Sequence, residues 1–167
     1  MRASTVTAVL SLGSNLGDRL AALQAAADVL EPTAMSPVYE TVPVGGPPQP
    51  AFLNAVVICA LDAEEAWRRA LQAEQGQGRE RTIRWGPRTL DVDLIVADGP
   101  APEGILLPHP RAHERAFVLA PWLAIDPTAT LPGHGRVAGL LAALDTSGVD
   151  RRDDLQLRSH RRPTEES

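Results

Sequence analysis

Asp91 and Asp93 stand two residues apart in Leu90-Asp91-Val92-Asp93-Leu94. On an extended strand both carboxylates leave the same face, with α-carbons roughly 6.5 to 7 Å apart, and Leu90, Val92, Leu94 and Val96 form the opposite, apolar face. Carboxylates this close repel unless cations lie between them, and hard oxygen ligands with room left for water and phosphate suit Mg²⁺. Two such ions, about 3.5–4 Å apart, are the arrangement of two-metal phosphoryl transfer. Immediately upstream, Arg79, Arg81, Arg84 and Arg88 fall in the glycine-spaced stretch GQGRERTIRWGPRT. Planar guanidinium groups grip phosphate oxygens while carboxylates hold the metal, so a Mg²⁺-triphosphate is the ligand that uses both sets of charges. Either feature alone has an ordinary explanation, a solvent-facing strand or surface ion pairing; side by side they specify a site.

A second group of residues suits a flat heterocycle. Asn54 shares a strand face with Phe52, Val56 and Ile58, and a buried amide without a partner costs about 1–3 kcal/mol. Its donor and acceptor match a heterocycle edge, and Phe52 offers a ring to stack, although a turn-capping Asn is the plainer alternative. His109 is framed by prolines in Leu107-Pro108-His109-Pro110-Arg111 and so has a rigidly placed backbone. Arg115 and His109 add phosphate donors, and Phe117 is either a second stacking wall or a core aromatic. His113 and His134 have no comparable setting and are read as surface residues. Cys59, the single cysteine, sits in an apolar run and reads as a small buried hydrophobe.

The elements that must carry these residues follow from periodicity. A strand over Val6 to Leu12 ends in a Gly13-Ser14-Asn15 turn that caps a helix. Leu16, Leu20, Leu23, Ala27 and Leu30 form the apolar stripe of that helix, and Pro32 stops it. Met35 to Thr41 and Phe52 to Leu61 read as strands joined by VPVGGPPQP, a connector too rich in Pro and Gly for ladder pairing. A second helix, Ala63 to about Gln75, places Trp67, Leu71 and Glu74 on one face. A strand over Leu90 to Val96 closes the series. The order β-α-β-β-α-β predicts an α+β, ferredoxin-like fold, an antiparallel sheet with both helices packed on one face. A short helix around Glu114 to Leu123 and an amphipathic segment near Val137 to Leu144 follow. Residues 1–149 then form one domain. From Asp150 onward, five Arg and five acids with few apolar groups predict a disordered extension over 150–167.

Composition narrows the chemistry. The 167 residues are 44% hydrophobic and 22% charged, enough for one cored domain. A formal net charge of -5 is the wrong sign for a general nucleic-acid binder. Every basic residue is Arg, which excludes Schiff-base and P-loop lysine chemistry. No apolar stretch approaches the roughly 20 residues of a membrane helix, and the start lacks a strong basic region followed by a long apolar one, so a soluble cytoplasmic protein with no membrane partner is expected; a monomer is the expected state. The residues alone leave open another Mg²⁺-dependent phosphoryl or nucleotidyl transferase and a small-molecule sensor on the same sheet.

Several motifs together resemble one family. They are Leu12-Gly13-Ser14-Asn15-Leu16-Gly17-Asp18, Tyr39-Glu40-Thr41, Phe52-Leu53-Asn54-Ala55, Arg84-Trp85-Gly86-Pro87-Arg88-Thr89-Leu90-Asp91-Val92-Asp93, and Pro108-His109-Pro110-Arg111 followed by Arg115 and Phe117. In this order, from about Val6 to Leu144, the chain resembles the 6-hydroxymethyl-7,8-dihydropterin pyrophosphokinases of folate biosynthesis. The resemblance implies transfer of pyrophosphate from ATP to the pterin hydroxymethyl group, with release of AMP. It implies that Asp91 and Asp93 bind two Mg²⁺ and, with Arg79 and Arg88, form the catalytic set. Glu74, Arg79, Arg81, Arg84, Trp85, Arg88, His109 and Arg115 would line the ATP side, Arg84 standing in for a lysine contact of some members. Thr41, Pro43, Gly45, Phe52, Asn54 and Phe117 would form the pterin side.

Overall fold

The computed structural model describes residues 6–43, 48–77 and 90–159. The chain runs β1 (Ala8–Ser14), α1 (Arg19–Leu30), β2 (Ala34–Met35), β3 (Tyr39–Thr41), β4 (Phe52–Cys59), α2 (Ala63–Gln77) and β5 (Asp91–Ala97). A 3₁₀ turn (Ala112–Glu114), α3 (Ala116–Ile125), a β6–β7 hairpin (Thr130–Leu131 and Gly135–Arg136), α4 (Val137–Ala142) and β8 (Val149–Arg151) follow. The main sheet is antiparallel throughout, in the order β5-β1-β4-β3-β8, with β2 also paired to β4.

β1 is longer than its apolar run suggests. It continues through Gly13 and Ser14, which pair with Asn54 and Leu53 of β4, so the expected turn at Gly13 begins two residues later. The cap of α1 is Asp18, whose carboxylate accepts the Ala21 N–H at 3.1 Å. Leu16, placed in the helical stripe by spacing alone, lies before the helix and is 45% exposed. The expected strand over Met35 to Thr41 is broken at Ser36-Pro37, because proline has no N–H for the ladder. The Ser36 hydroxyl takes over, accepting the Val56 N–H at 2.9 Å.

Helices cover both faces of the sheet. α1 and α2 bury Leu23, Leu30, Ala66, Ala70 and Ala73 against Leu10, Leu12, Val57 and Leu94. The buried stripe of α2 is therefore its alanines, while Leu71 is 38% exposed. Trp67 packs at the edge of the same core. On the other face α3 lays Val118, Leu119 and Trp122 over Val9, Val56 and Ile95, with Val137 of α4 behind. The one-face expectation holds for α1 and α2; α3 makes a third layer.

A bulge in β5 divides these faces. Val9 pairs with Val96 but Leu10 with Leu94, which leaves Ile95 as the extra residue. Ile95 and Val96 both turn toward α3, so Val96 leaves the apolar face that simple alternation gives it. Asp91 and Asp93 precede the bulge and keep the alternation. Cys59 is buried among the α1–α2 core, and that burial pushes its thiol up to about 12, against a smaller opposing effect of Arg69.

Residues 150–159 do not extend into solvent as their composition predicts. β8 pairs with β3 through Thr41–Val149 and Tyr39–Arg151, and Leu155 and Leu157 pack at the α1 side of the core. Gln24 locks the strap by exchanging hydrogen bonds with the Arg158 backbone at 2.9 and 2.8 Å. A few apolar residues at the right spacing, with charges that find partners, suffice to dock it; residues 160–167 lie outside the described part. Ending the chain after Gly148 is expected to destabilise the domain by about 2–4 kcal/mol, from lost leucine burial and strand pairing. An unchanged urea midpoint would contradict this docking.

Candidate active site

The floor of the site is the stretch of sheet that α3 leaves uncovered. Alternation along β1 puts Val9, Ser11 and Gly13 on the α3 side; α3 covers Val9, while Ser11 and Gly13 are open to a cleft. Across the ladder Ser11 faces Asp93, and Gly13 lies between Asp91 on one side and Asn54 on the other. The cleft has a volume of about 920 Å³. Its lining brings together Thr41, Pro43, Phe52, Asn54, Asp91, Asp93, His109, Arg115 and Phe117, nine of the residues picked out in the sequence.

Thr41 and Asn54 form the buried polar pair at one end. The Thr41 hydroxyl donates to Asn54 Oδ1 at 2.7 Å, which orients the amide so that its NH₂ is left for a ligand. Gly13 makes room for it: a Cβ there would lie 3.0 Å from Asn54 Nδ2. Phe52 flanks the same space, its ring 3.7 Å from that Cβ position. The amide therefore meets both needs raised by its burial, one partner in the protein and one direction open to the cleft.

At the other end lie the two aspartates. Asp93 is 42% exposed, and its carboxylate stands 3.7 Å from the Arg115 guanidinium, which also lies 5.6 Å from the centre of the Phe117 ring. His109 is hooked to the β5 bulge by its N–H, which donates to Ile95 O at 2.7 Å. Its Nδ1 accepts the Arg111 N–H at 3.2 Å, so the neutral ring carries its proton on Nε2. Partial burial lowers the His109 pKa, against an upward pull from Asp93. The neutral imidazole is thus the favoured form at physiological pH, a donor without the charge of a third cation.

Asp91 and Asp93 are the side chains that could hold a divalent metal. They are the only carboxylates on β1, β4 and β5, and no set of three or more His, Cys, Asp or Glu among the described residues makes a closed metal cage. Two carboxylates facing an open cleft suit Mg²⁺, which keeps waters and takes phosphate oxygens in its remaining positions.

Glu74 stands on the outer side of β5. From the last turns of α2 its Oε2 accepts the Val92 N–H at 2.8 Å, along the outer edge of β5, and it is absent from the cleft lining. Gly45, Arg79, Arg81, Arg84, Trp85 and Arg88 lie outside the described residues. Conversely, Ser11, Glu114, Asp145, Ser147, Gly148 and Val149 border the cleft although no motif marked them as site residues, while Gly13 was read as a turn residue and Arg111 only as part of a motif. Ser11 and Gly13 carried a readable signal, small polar interruptions at period two in an apolar strand. The 145–149 segment carried none, because only β8 docking brings it there.

Comparison with known proteins decides the family. The family model for 7,8-dihydro-6-hydroxymethylpterin-pyrophosphokinase (HPPK) matches residues 9–127. The chain belongs to this family. A 2-amino-4-hydroxy-6-hydroxymethyldihydropteridine pyrophosphokinase of Mycobacterium tuberculosis is 48% identical over 161 residues, 85% of this chain and 86% of the relative. That of Mycobacterium leprae is 50% identical over 157 residues, 82% of each chain. Among solved structures, Plasmodium falciparum HPPK-DHPS with pterin and p-hydroxybenzoate superposes with a TM-score of 0.63 at 14% identity. The match covers 83% of this chain and 43% of that one, so this chain spans less than half its length. Family membership assigns this HPPK chain pyrophosphokinase chemistry in folate biosynthesis, with ATP as co-substrate. No described helix is long and apolar enough to cross a membrane.

Proposed function

We propose that this cleft seats 6-hydroxymethyl-7,8-dihydropterin at its Asn54 end and the ATP triphosphate, with two Mg²⁺, at its aspartate end. The observation that carries the reading is the register of β1, where Gly13 stands between Asn54 and Asp91 on one open face of the sheet. A ferredoxin-like core is supported by the strand order β5-β1-β4-β3, β8 being an added edge. In this arrangement the Asn54 NH₂ donates to the pterin edge, Thr41 fixes the amide, and Phe52 and Phe117 offer ring faces to the heterocycle. Pro43 and Gly45 complete that side. Asp91 and Asp93 hold the metal, and bound Mg²⁺ would neutralise charge on the phosphoryl oxygens. Arg115 and the His109 Nε2–H point donors at the same oxygens. Arg79, Arg81, Arg84, Trp85 and Arg88, with Glu74 behind β5, make up the nucleotide side.

The hydroxymethyl oxygen of the pterin attacks the β-phosphorus in line, the bond from β-phosphorus to the α–β bridging oxygen breaks, and AMP leaves. The hydroxyl proton passes to the Asp93 carboxylate and on to solvent. Positioning and charge stabilisation would carry most of the acceleration, because phosphoryl transfer leaves the protein little covalent chemistry to do. Purified protein supplied with ATP, Mg²⁺ and the pterin alcohol is expected to release AMP, and to do so only when the pterin is present. ADP as the product, or AMP at the same rate without pterin, would overturn the assignment.

A further inference from the structure

The pterin end of the cleft is braced from behind by the C-terminal strap. β3 is three residues long, a length that is marginal as an edge strand, and β8 converts it to an interior one. Within β3, Thr41 faces the cleft while Glu40 faces α1, where it meets two arginines from opposite ends of the chain. Arg19 donates to Glu40 Oε2 at 2.8 Å and Arg152 to Oε1 at 2.6 Å. Both ends of the connector between β3 and β4 are tied down, one by this cluster and one by the chain leading into β8. Arg19 also donates to Ala51 O at 2.9 Å, just before Phe52, and the Val42 N–H donates to Gly148 O at 3.1 Å, just before β8. Arg152 is held in place itself: its N–H donates to Val38 O at 2.8 Å, and its guanidinium grips Asp154 at 2.9 and 2.7 Å.

All three charged side chains of the cluster are about a quarter to a third exposed, so water screens them only in part. Hydrogen bonds from Arg19, and from Arg152, hold the Glu40 carboxyl below the ordinary carboxylate range against the opposing effect of burial.

We propose that Arg152 is a positioning residue for the pterin: by gripping Glu40 it holds β3 in register, so that Thr41 keeps the Asn54 amide aimed into the cleft. This inference rests on the reading of the Asn54 end as the pterin side. Arg152 is not among the described residues that line the cleft, and it lies beyond residues 9–127 that match the family model. Its effect is preorganisation: without it the ligand itself must order β3 and the Thr41–Asn54 pair, and binding weakens by that cost. The aspartate end is on β5, at the opposite edge of the sheet from β8, and is left as it was.

Steady-state kinetics of Arg152→Met separates the two ends. The KM for the pterin is expected to rise about five- to tenfold, with the KM for ATP unchanged within about twofold. Arg152→Lys, which keeps a donor for Glu40, is expected to recover most of the loss. Equal rises in both KM values, or a lowered thermal midpoint with an unchanged pterin KM, would overturn the proposal. If Arg152→Met does not fold, Glu40→Gln, which retains the shape and one acceptor, must show the same split, and its absence overturns the proposal equally. A parent protein that consumes ATP without any dependence on the pterin overturns the reading of the cleft, and Arg152's role with it. A pterin-dependent parent whose variants show no split overturns the role of Arg152 alone.

Discussion

Asp93→Asn is expected to lower turnover by about 10²–10³-fold while leaving the fold intact. The substitution keeps the size of the side chain and removes only its charge. The residue is 42% exposed and, among the described residues, its ion-pair partner Arg115 is 3.7 Å away, so stability should change by no more than about 0.5 kcal/mol. Two effects add in the catalytic step: the metal loses an anionic oxygen, and the attacking hydroxyl loses its proton acceptor. ATP binding is expected to survive, because Arg115 is then relieved of its carboxylate neighbour and becomes more available to phosphate. Turnover against Mg²⁺ concentration, with a thermal melt alongside, checks this. A half-saturating Mg²⁺ concentration equal to that of the parent, with turnover within tenfold, would remove Asp93 from the metal site. Loss of ATP binding with an unchanged rate at saturation would do the same.

The second large effect is expected at Asn54. Asn54→Ala should weaken pterin binding about 10- to 100-fold, the worth of one or two hydrogen bonds in a desolvated site, with ATP binding within about twofold. The same change strands the Thr41 hydroxyl, which is buried and has Asn54 Oδ1 as its partner, so some stability is lost as well, about 1–3 kcal/mol. Gly13→Ala separates recognition from that loss. It removes no polar group, yet its methyl would press on Asn54 Nδ2 at 3.0 Å and turn the amide from its direction. Calorimetry should show the pterin weakened by about tenfold in Gly13→Ala, again with ATP spared. Equal losses for both ligands in either variant would mean that this end of the cleft does not discriminate between them.

These two predictions draw on different depths of information. Asp-x-Asp on a strand flanked by apolar residues was readable because side chains alternate on any strand, whatever it pairs with. The same local rule put Phe52 and Asn54 on one face. Order and type of the elements up to β5 were likewise legible, since periodicity and Pro/Gly punctuation are local signals. Even there, the buried face of α2 escaped: its alanines carry little hydrophobic weight, while Trp67 and Leu71 drew the stripe toward themselves, and Leu71 proved more than a third exposed.

What local rules could not supply is who faces whom. That Gly13 separates Asn54 from Asp91 depends on a ladder between strands some forty and eighty residues away, and a slip of one residue would have turned every side chain to the other face. The bulge at Ile95 moved Val96 for a reason visible only in the pairing with β1. Most of all, residues 150–159 were charged enough to pass for a solvated tail, yet their arginines and leucines found Glu40 and the α1 side of the core. Composition measures what a segment would lose by leaving water; only the folded surface waiting for it determines what it gains. The chemistry of the site was thus written in short-range spacing, whereas its shape, and the brace behind it, came from contacts between distant parts of the chain.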